Sequence, residues 1–298
     1  MLYHANATRI YLLSRSSASG DAAIKAITTS LPHPSASGRA TPGTDVVRFV
    51  PLDLSDLSSI QSTAEAFLGK ETRLDVLWHN AGIMVAPEGS RSPQDQELTF
   101  ATNVLGPFLL QHFLTPVLLS TASDSPPRTV RVCWAGSGPA VAPPGPDGIQ
   151  WEDIALRDAK GFAGRTARYM QSKAANVLLG AEMQARYGKA AAPSGGIVSC
   201  AFNPGAIRTD LARHAPRLLA WVHNTMAGPA RNGALVELFC GFAPQVAAEC
   251  EEKGRCFVVP IGKVGRTVDK VEEGIELRGS GKRLWDLCDG LVEQYYKK

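Results

Sequence analysis

Leu74-Asp75-Val76-Leu77-Trp78-His79-Asn80-Ala81-Gly82 is an apolar run that stops at a polar, glycine-bearing turn. A short apolar run with such punctuation reads as a buried strand. The pattern recurs on both sides of it. Residues 9–13 (RIYLL) break at Ser14-Arg15-Ser16-Ser17, and 46–50 at Pro51-Leu52-Asp53-Leu54. Residues 130–134 run into Gly136-Ser137-Gly138, 197–202 into Asn203-Pro204-Gly205, and 256–260 form a last candidate strand. Helical patterns fill the intervals at 21–31, from a Ser55 cap through Ile60 and Phe67, and at about 97–119, 167–187, 233–242 and 282–296. Strands alternating with helices imply βαβ units, hence an α/β fold with a doubly wound parallel sheet. With no repeat or linker visible, residues 1–298 read as a single Rossmann-like domain, with a lid at about 205–235 and a C-terminal helix at 282–298.

The bulk numbers fit an ordinary globular protein: 44% hydrophobic and 20% charged residues in a chain of 298. A net charge of +3 without a basic run gives no reason to invoke nucleic acid or an anionic membrane. Six cysteines form no C-x-x-C pair and no zinc spacing, so no metal is expected and buried reduced thiols are. The start of the chain lacks a charged stretch followed by an apolar one, and no uninterrupted apolar run reaches roughly 20 residues. A cytoplasmic protein without a clear membrane segment is the expectation.

In such sheets ligands bind beyond the carboxyl ends of the strands. Arg15, Asp53, Asn80, Ser137 and Asn203-Pro204-Gly205 all stand just past strand ends. Tyr169 and Lys173 are four apart on a helix and share a face. A free tyrosine titrates at about 10, and a nearby ammonium favours its phenolate. Alone the pattern is weak: with six tyrosines, a chance Y-x-x-x-K has odds of roughly one in three. Ser137, one crossover before the Tyr169 helix, adds a hydroxyl that can align a carbonyl oxygen. An isolated serine in a glycine-rich loop is usually only a turn residue.

Taken in order, Asp53-Leu54, Asn80-Ala81-Gly82, Thr102-Asn103-Val104-Leu105-Gly106, Gly136-Ser137, Tyr169-x-x-x-Lys173 and Asn203-Pro204-Gly205 with Thr209 are far more specific than any one motif. From about residue 8 onward the chain resembles the short-chain dehydrogenase/reductase family, in the branch similar to retinol dehydrogenases and many fungal reductases. The resemblance implies that Tyr169 transfers the proton. It implies that Lys173 tunes Tyr169 and binds the nicotinamide ribose, that Ser137 orients the carbonyl, and that Asn103 holds a water linking Lys173 to solvent. Asp53 would accept from the adenine amino group, its plainer reading being a helix cap. Asn80, Ala81 and Gly82 would line the adenosine ribose, and Pro204, Gly205, Ile207 and Thr209 the nicotinamide end. His79, where the family usually has asparagine, reads as packing. Arg15, with no acid near it, suits a 2′-phosphate, so the expected cofactor is NADP(H).

The reaction so implied interconverts a small-molecule carbonyl and alcohol. The Leu, Trp and Met content of residues 211–227 points to a bulky apolar substrate such as a polyketide, terpenoid, steroid or long-chain carbonyl, fitting secondary metabolism. Apolar lids also simply pack. The helices after Glu97 and Ala167 commonly pair between subunits in similar proteins, so a homodimer is a further expectation.

The family opens with a strand and a glycine-rich turn that cradles pyrophosphate. No such segment precedes Arg9, and Gly20, Gly38 and Gly43 are the only glycines before Asp45. The expectation is an N-terminally truncated member: a missing βα unit, two unpaired inner strand edges, an open apolar slot, and weak NADP(H) binding by this chain. A short gene model of a complete enzyme, an inactive relative, and a non-catalytic binding or interaction protein are the three explanations. Intact Ser137, Asn103, Tyr169 and Lys173 favour the first.

Overall fold

Strand edges and burial locate the site in the computed structural model, which describes residues 2, 7–29, 46–138, 142–188, 196–208, 225 and 227–297. The described strands are β1 (Ile10–Ser14), β2 (Val47–Pro51), β3 (Val76–His79), β4 (Arg131–Ala135), β5 (Val198–Phe202), β6 (Phe257–Val259) and β7 (Lys263–Gly265). The described helices are α1 (Ser17–Thr29), α2 (Ile60–Leu68), the short turn α3 (Leu98–Phe100), α4 (Gly106–Ser123) and α5 (Gly161–Tyr187). They continue with α6 (Ala230–Phe242), α7 (Pro244–Lys253), α8 (Asp269–Leu277) and α9 (Ser280–Val292). Every expected strand is present within two residues of its reading. β7, α7 and α8 are additions. The second helix is capped by Asp56 rather than Ser55: its carboxylate accepts from Ser58 N at the head of a 3₁₀ turn, Leu57–Ser59.

β3, β4, β5 and β6 pair in parallel in that order, and β7 closes the edge antiparallel to β6. β4 and β5 are buried at every residue, as apolar strands covered on both faces must be. One layer packs α2, α4, α5 and α9 against the sheet through Ile60, Leu109, Leu178 and Leu284. The opposite layer packs α6 and α7 through Val236, Cys240, Val246 and Cys250. All six cysteines are buried free thiols.

β1 and β2 pair in parallel as a separate two-stranded sheet. The inner edges of β1 and β3 face a cavity of about 1070 Å³, lined among others by Ile10, Leu12, Val76, Trp78, Leu110 and Phe242. Residues Ile10–Leu13 and Val76–Trp78 are only half-buried, unlike their counterparts in β4 and β5. Among the described residues no strand stands between the inner edges of β1 and β3.

Helix α4 is entered through a π-turn, Ala101–Leu105, that carries Asn103. The whole run Leu98–Ser123 is long and apolar enough to cross a membrane, but 67% of its most apolar window is buried, as suits a core helix. α9 lies along α5: Leu284, Cys288 and Val292 share its core, and Trp285 meets Phe108 of α4 edge-on at 4.9 Å. The α4–α5 surface on which pairing between subunits was expected is thus partly covered by the chain's own last helix.

Candidate active site

Tyr169 sits two turns into α5, beside the end of β4, where the Ser137 side chain acts on its hydroxyl. The two residues, 32 apart in sequence, meet because β4 ends at Ala135 and α5 packs directly across it. Burial pushes the Tyr169 phenol up to about 12, against the pull of the Ser137 side chain. Lys173 is buried one turn on, and burial lowers it to about 8. Its Nζ lies 5.7 Å from the Tyr169 ring centroid and donates to the Ala135 carbonyl at 3.1 Å. The lowering of Tyr169 by Lys173 expected from their spacing is thus not realised here. The ammonium faces the ring and a backbone carbonyl, and desolvation dominates both groups.

Asn103 is 1% exposed. Its Oδ1 accepts from Ile83 N at 2.8 Å, and its Nδ2 donates to Ile83 O and Ser172 Oγ, both at 2.9 Å. Ser172 Oγ donates in turn to the Tyr169 carbonyl at 2.7 Å. Asn103 therefore brackets the loop after β3 to the Tyr169 turn of α5. It does not bond its own helix backbone. Ser172 is the partner that sequence reasoning passed over: it lies inside the quoted motif, but no spacing rule links it to residue 103.

Gly82 stands at the mouth of this cluster. A Cβ there would come 2.9 Å from Asn103 Oδ1 and 3.6 Å from Lys173 Nζ. Only glycine leaves that approach open. Asn80 and Ala81 are exposed and border the slot. Across β5, Asn203 Oδ1 accepts from Gly205 N at 2.9 Å, and Gly205 adopts φ +83°, a left-handed conformation suited to glycine. This turn holds Pro204 against Gly233 of α6, and Ile207 bridges to Gly228. Thr209 and nearly all of residues 211–227 lie outside the described residues.

A sequence model of the family described as short chain dehydrogenase matches residues 14–126. A short-chain dehydrogenase/reductase of Phomopsis amygdali is 34% identical over 301 residues, covering 99% of this chain and 85% of that one. The pkfC short-chain dehydrogenase/reductase of Emericella nidulans is 41% identical over 216 residues, covering 72% of this chain and 66% of that one.

The chain belongs to the short-chain dehydrogenase/reductase family of oxidoreductases.

Its fold is shared with solved family members at low identity. An NADPH-bound carbonyl reductase from chicken fatty liver is 19% identical, with a TM-score of 0.55 over 87% of each chain. A 3-ketoacyl-(acyl-carrier-protein) reductase from Brucella melitensis complexed with NADH gives 19% and 0.55, over 87% of this chain and 88% of that one. In this short-chain dehydrogenase/reductase the remaining expected cofactor residues lie apart from the Tyr169 cluster. Arg15 is exposed just past β1 and has no ion-pair partner among the described residues. Asp53 Oδ1 accepts from Ser55 N at 2.9 Å and Ser55 Oγ at 2.6 Å in a local turn, so it is not the helix cap of its plainer reading, which falls to Asp56. His79 is a core residue: it bonds Gln111 at 3.0 Å, lies 4.2 Å from the Trp134 ring, and burial holds it down at about 4.

Proposed function

We propose that this chain interconverts a carbonyl and an alcohol with NADP(H), with Tyr169, Ser137, Lys173 and Asn103 as the working residues and a bulky apolar substrate. The meeting of the Ser137 side chain with the Tyr169 hydroxyl at the end of β4 is the observation that carries the reading. Two hydroxyls brought together at the carboxyl edge of a parallel sheet can both turn to one carbonyl oxygen, which fixes its position and gives it a proton source. A phenol at about 12 stays protonated near neutrality, so Tyr169 is set up as the acid for the reductive direction. Lys173, 5.7 Å from the ring, offsets charge that develops on the phenolate as the proton leaves. Asn103, through Ser172, keeps the Tyr169 turn in place.

The nicotinamide end of the cofactor fits the residues present. The gap left at Gly82 gives a ribose access to Lys173, and Pro204, Gly205, Ile207 and Thr209 would border the ring. When bound, the cofactor supplies or accepts the hydride. Arg15 supports NADP(H) over NAD(H), because a guanidinium without an acidic partner can pair with a 2′-phosphate. Asp53, Asn80 and Ala81 would serve the adenosine half. The substrate class rests on the composition of residues 211–227 alone.

The test is loss of nicotinamide absorbance with a panel of carbonyls. Bulky apolar ketones and aldehydes are expected to turn over, and Tyr169→Phe to lower kcat by roughly 10²–10⁴-fold. Activity confined to small polar carbonyls would remove the substrate class. Arg15→Glu is expected to cut the NADPH over NADH preference in kcat/KM by about tenfold or more; equal use of both by the unaltered chain sinks that assignment. The slot between β1 and β3 favours a second reading, a non-catalytic binding protein on the same scaffold. NADPH titration followed by fluorescence separates the two: a folded chain with no saturable binding supports the second.

A further inference from the structure

The carbonyl of Ala135, at the last residue of β4, accepts from two side chains on one face of α5. Lys173 Nζ donates at 3.1 Å and Asn176 Nδ2 at 3.0 Å. Asn176 follows Lys173 by three residues, the spacing of helix neighbours, and is 3% exposed. Its Oδ1 is buried and has no hydrogen-bond partner among the described residues. Turning the amide over would set Oδ1 against the Ala135 oxygen, so the N–H must face the carbonyl. A buried acceptor left this way keeps its full desolvation penalty. A leucine of similar volume would pack without that cost, so the amide calls for a role beyond packing.

We propose that Asn176 is a positioning residue for Lys173, its amide N–H sharing the Ala135 carbonyl so that the ammonium is held there only loosely. This rests on the role given to Lys173 above. The argument has two parts. The shared carbonyl stays satisfied by Asn176 when Lys173 swings away, which removes the penalty of an orphaned backbone acceptor from that motion. The positive end of the N–H dipole also points at the oxygen that the ammonium uses, and so disfavours the charged lysine. Around Lys173 stand Tyr169 on its own helix, Ala135 and Ser137 at the end of β4, and Gly82 with Asn103 from the loop and π-turn beyond. Tyr169 is the titratable member of that set, and among the described residues no carboxylate belongs to it.

The experiment reads Lys173 ionisation directly, by NMR titration of ¹³Cε-lysine in the full chain, with Lys173→Met to assign the signal. It needs neither cofactor nor turnover, so an inactive chain leaves the outcome readable, and an active one does not prejudge it. Asn176→Leu removes the N–H while keeping water out. Loss of the dipole raises the Lys173 pKa by about half a unit or more. A value unchanged or lower, as desolvation alone would give, overturns the proposal. Asn176→Asp is the second variant, should the leucine fail to fold. A carboxylate at the shared oxygen raises the pKa by about one unit or more; no change there means the two side chains do not communicate, and the proposal falls.

Discussion

At the scale of single residues, Lys173 opposes folding at neutral pH and the Tyr169 hydroxyl is shielded rather than activated. Lys173 titrates at about 8 in the fold against 10.5 when free. Its folded pKa is depressed, so from pH 8 to 10.5 the unfolded chain holds a proton that the folded chain has released. Stability conferred by this position therefore rises with pH through that window and is flat below it. Lys173→Met is expected to close a gap: relative to the variant, the unaltered protein gains about 3 kcal/mol between pH 8 and 10.5. Urea unfolding of both proteins across that range measures it, and Tyr169 and the cysteines cancel because both proteins carry them. Parallel stability curves would show that Lys173 is not buried as a charge. The sequence disclosed the pairing of Tyr169 with Lys173, because four-residue spacing is a property of one helix. It could not disclose the sign at Tyr169, which depends on burial by residues far along the chain. The engagement of Asn103 by Ile83 and Ser172 was hidden for the same reason: it spans 20 and 69 positions.

Elements follow a similar rule. Strands β1 to β6 were legible because each is an apolar run with a polar stop. β7 is three residues long, too short for any period to register. Helix α7 carried its signals openly, with Pro244 in the first turn and Gly254 at the left-handed position after the last, but its acidic end masked the apolar face of Val246, Ala247 and Cys250. The π-turn before α4 has no local signature. It goes with a close approach of two backbones: a Cβ at Gly106 would lie 2.3 Å from the Leu54 carbonyl oxygen. That oxygen belongs to main chain and cannot rotate away. Gly106→Ala is therefore expected to destabilise by roughly 1–3 kcal/mol, although alanine is the better helix former. A lowered denaturation midpoint with unchanged slope is the expected result; equal or greater stability would mean that the turn after β2 moves freely. Because the same run carries Asn103, the variant is also expected to lower kcat more than it raises KM.

Across the whole molecule the governing feature is the interruption of the sheet. Two apolar strands, Ile10–Ser14 and Val76–His79, each pair on one side and face a cavity of about 1070 Å³ on the other. Its size reaches the upper end of pockets that hold drug-sized ligands. Trp78, Leu12 and Leu110 on its walls are apolar, while no strand among the described residues pairs with the edges of β1 and β3 that face it, a combination that recruits further strands. The folded protein is accordingly expected to bind an anilinonaphthalene dye under native conditions. It is also expected to self-associate as its concentration rises. Two observations together make the measurement specific to the slot rather than to loosened packing. Near-UV circular dichroism should retain its native signal, since β4 and β5 are buried throughout and α5 is buried from Tyr169 to Ala181. Trp78, whose indole lines the slot and donates to Glu237 O at 2.9 Å, should be quenched by the bound dye. A native near-UV spectrum with no dye signal would mean that the inner edges are covered in solution.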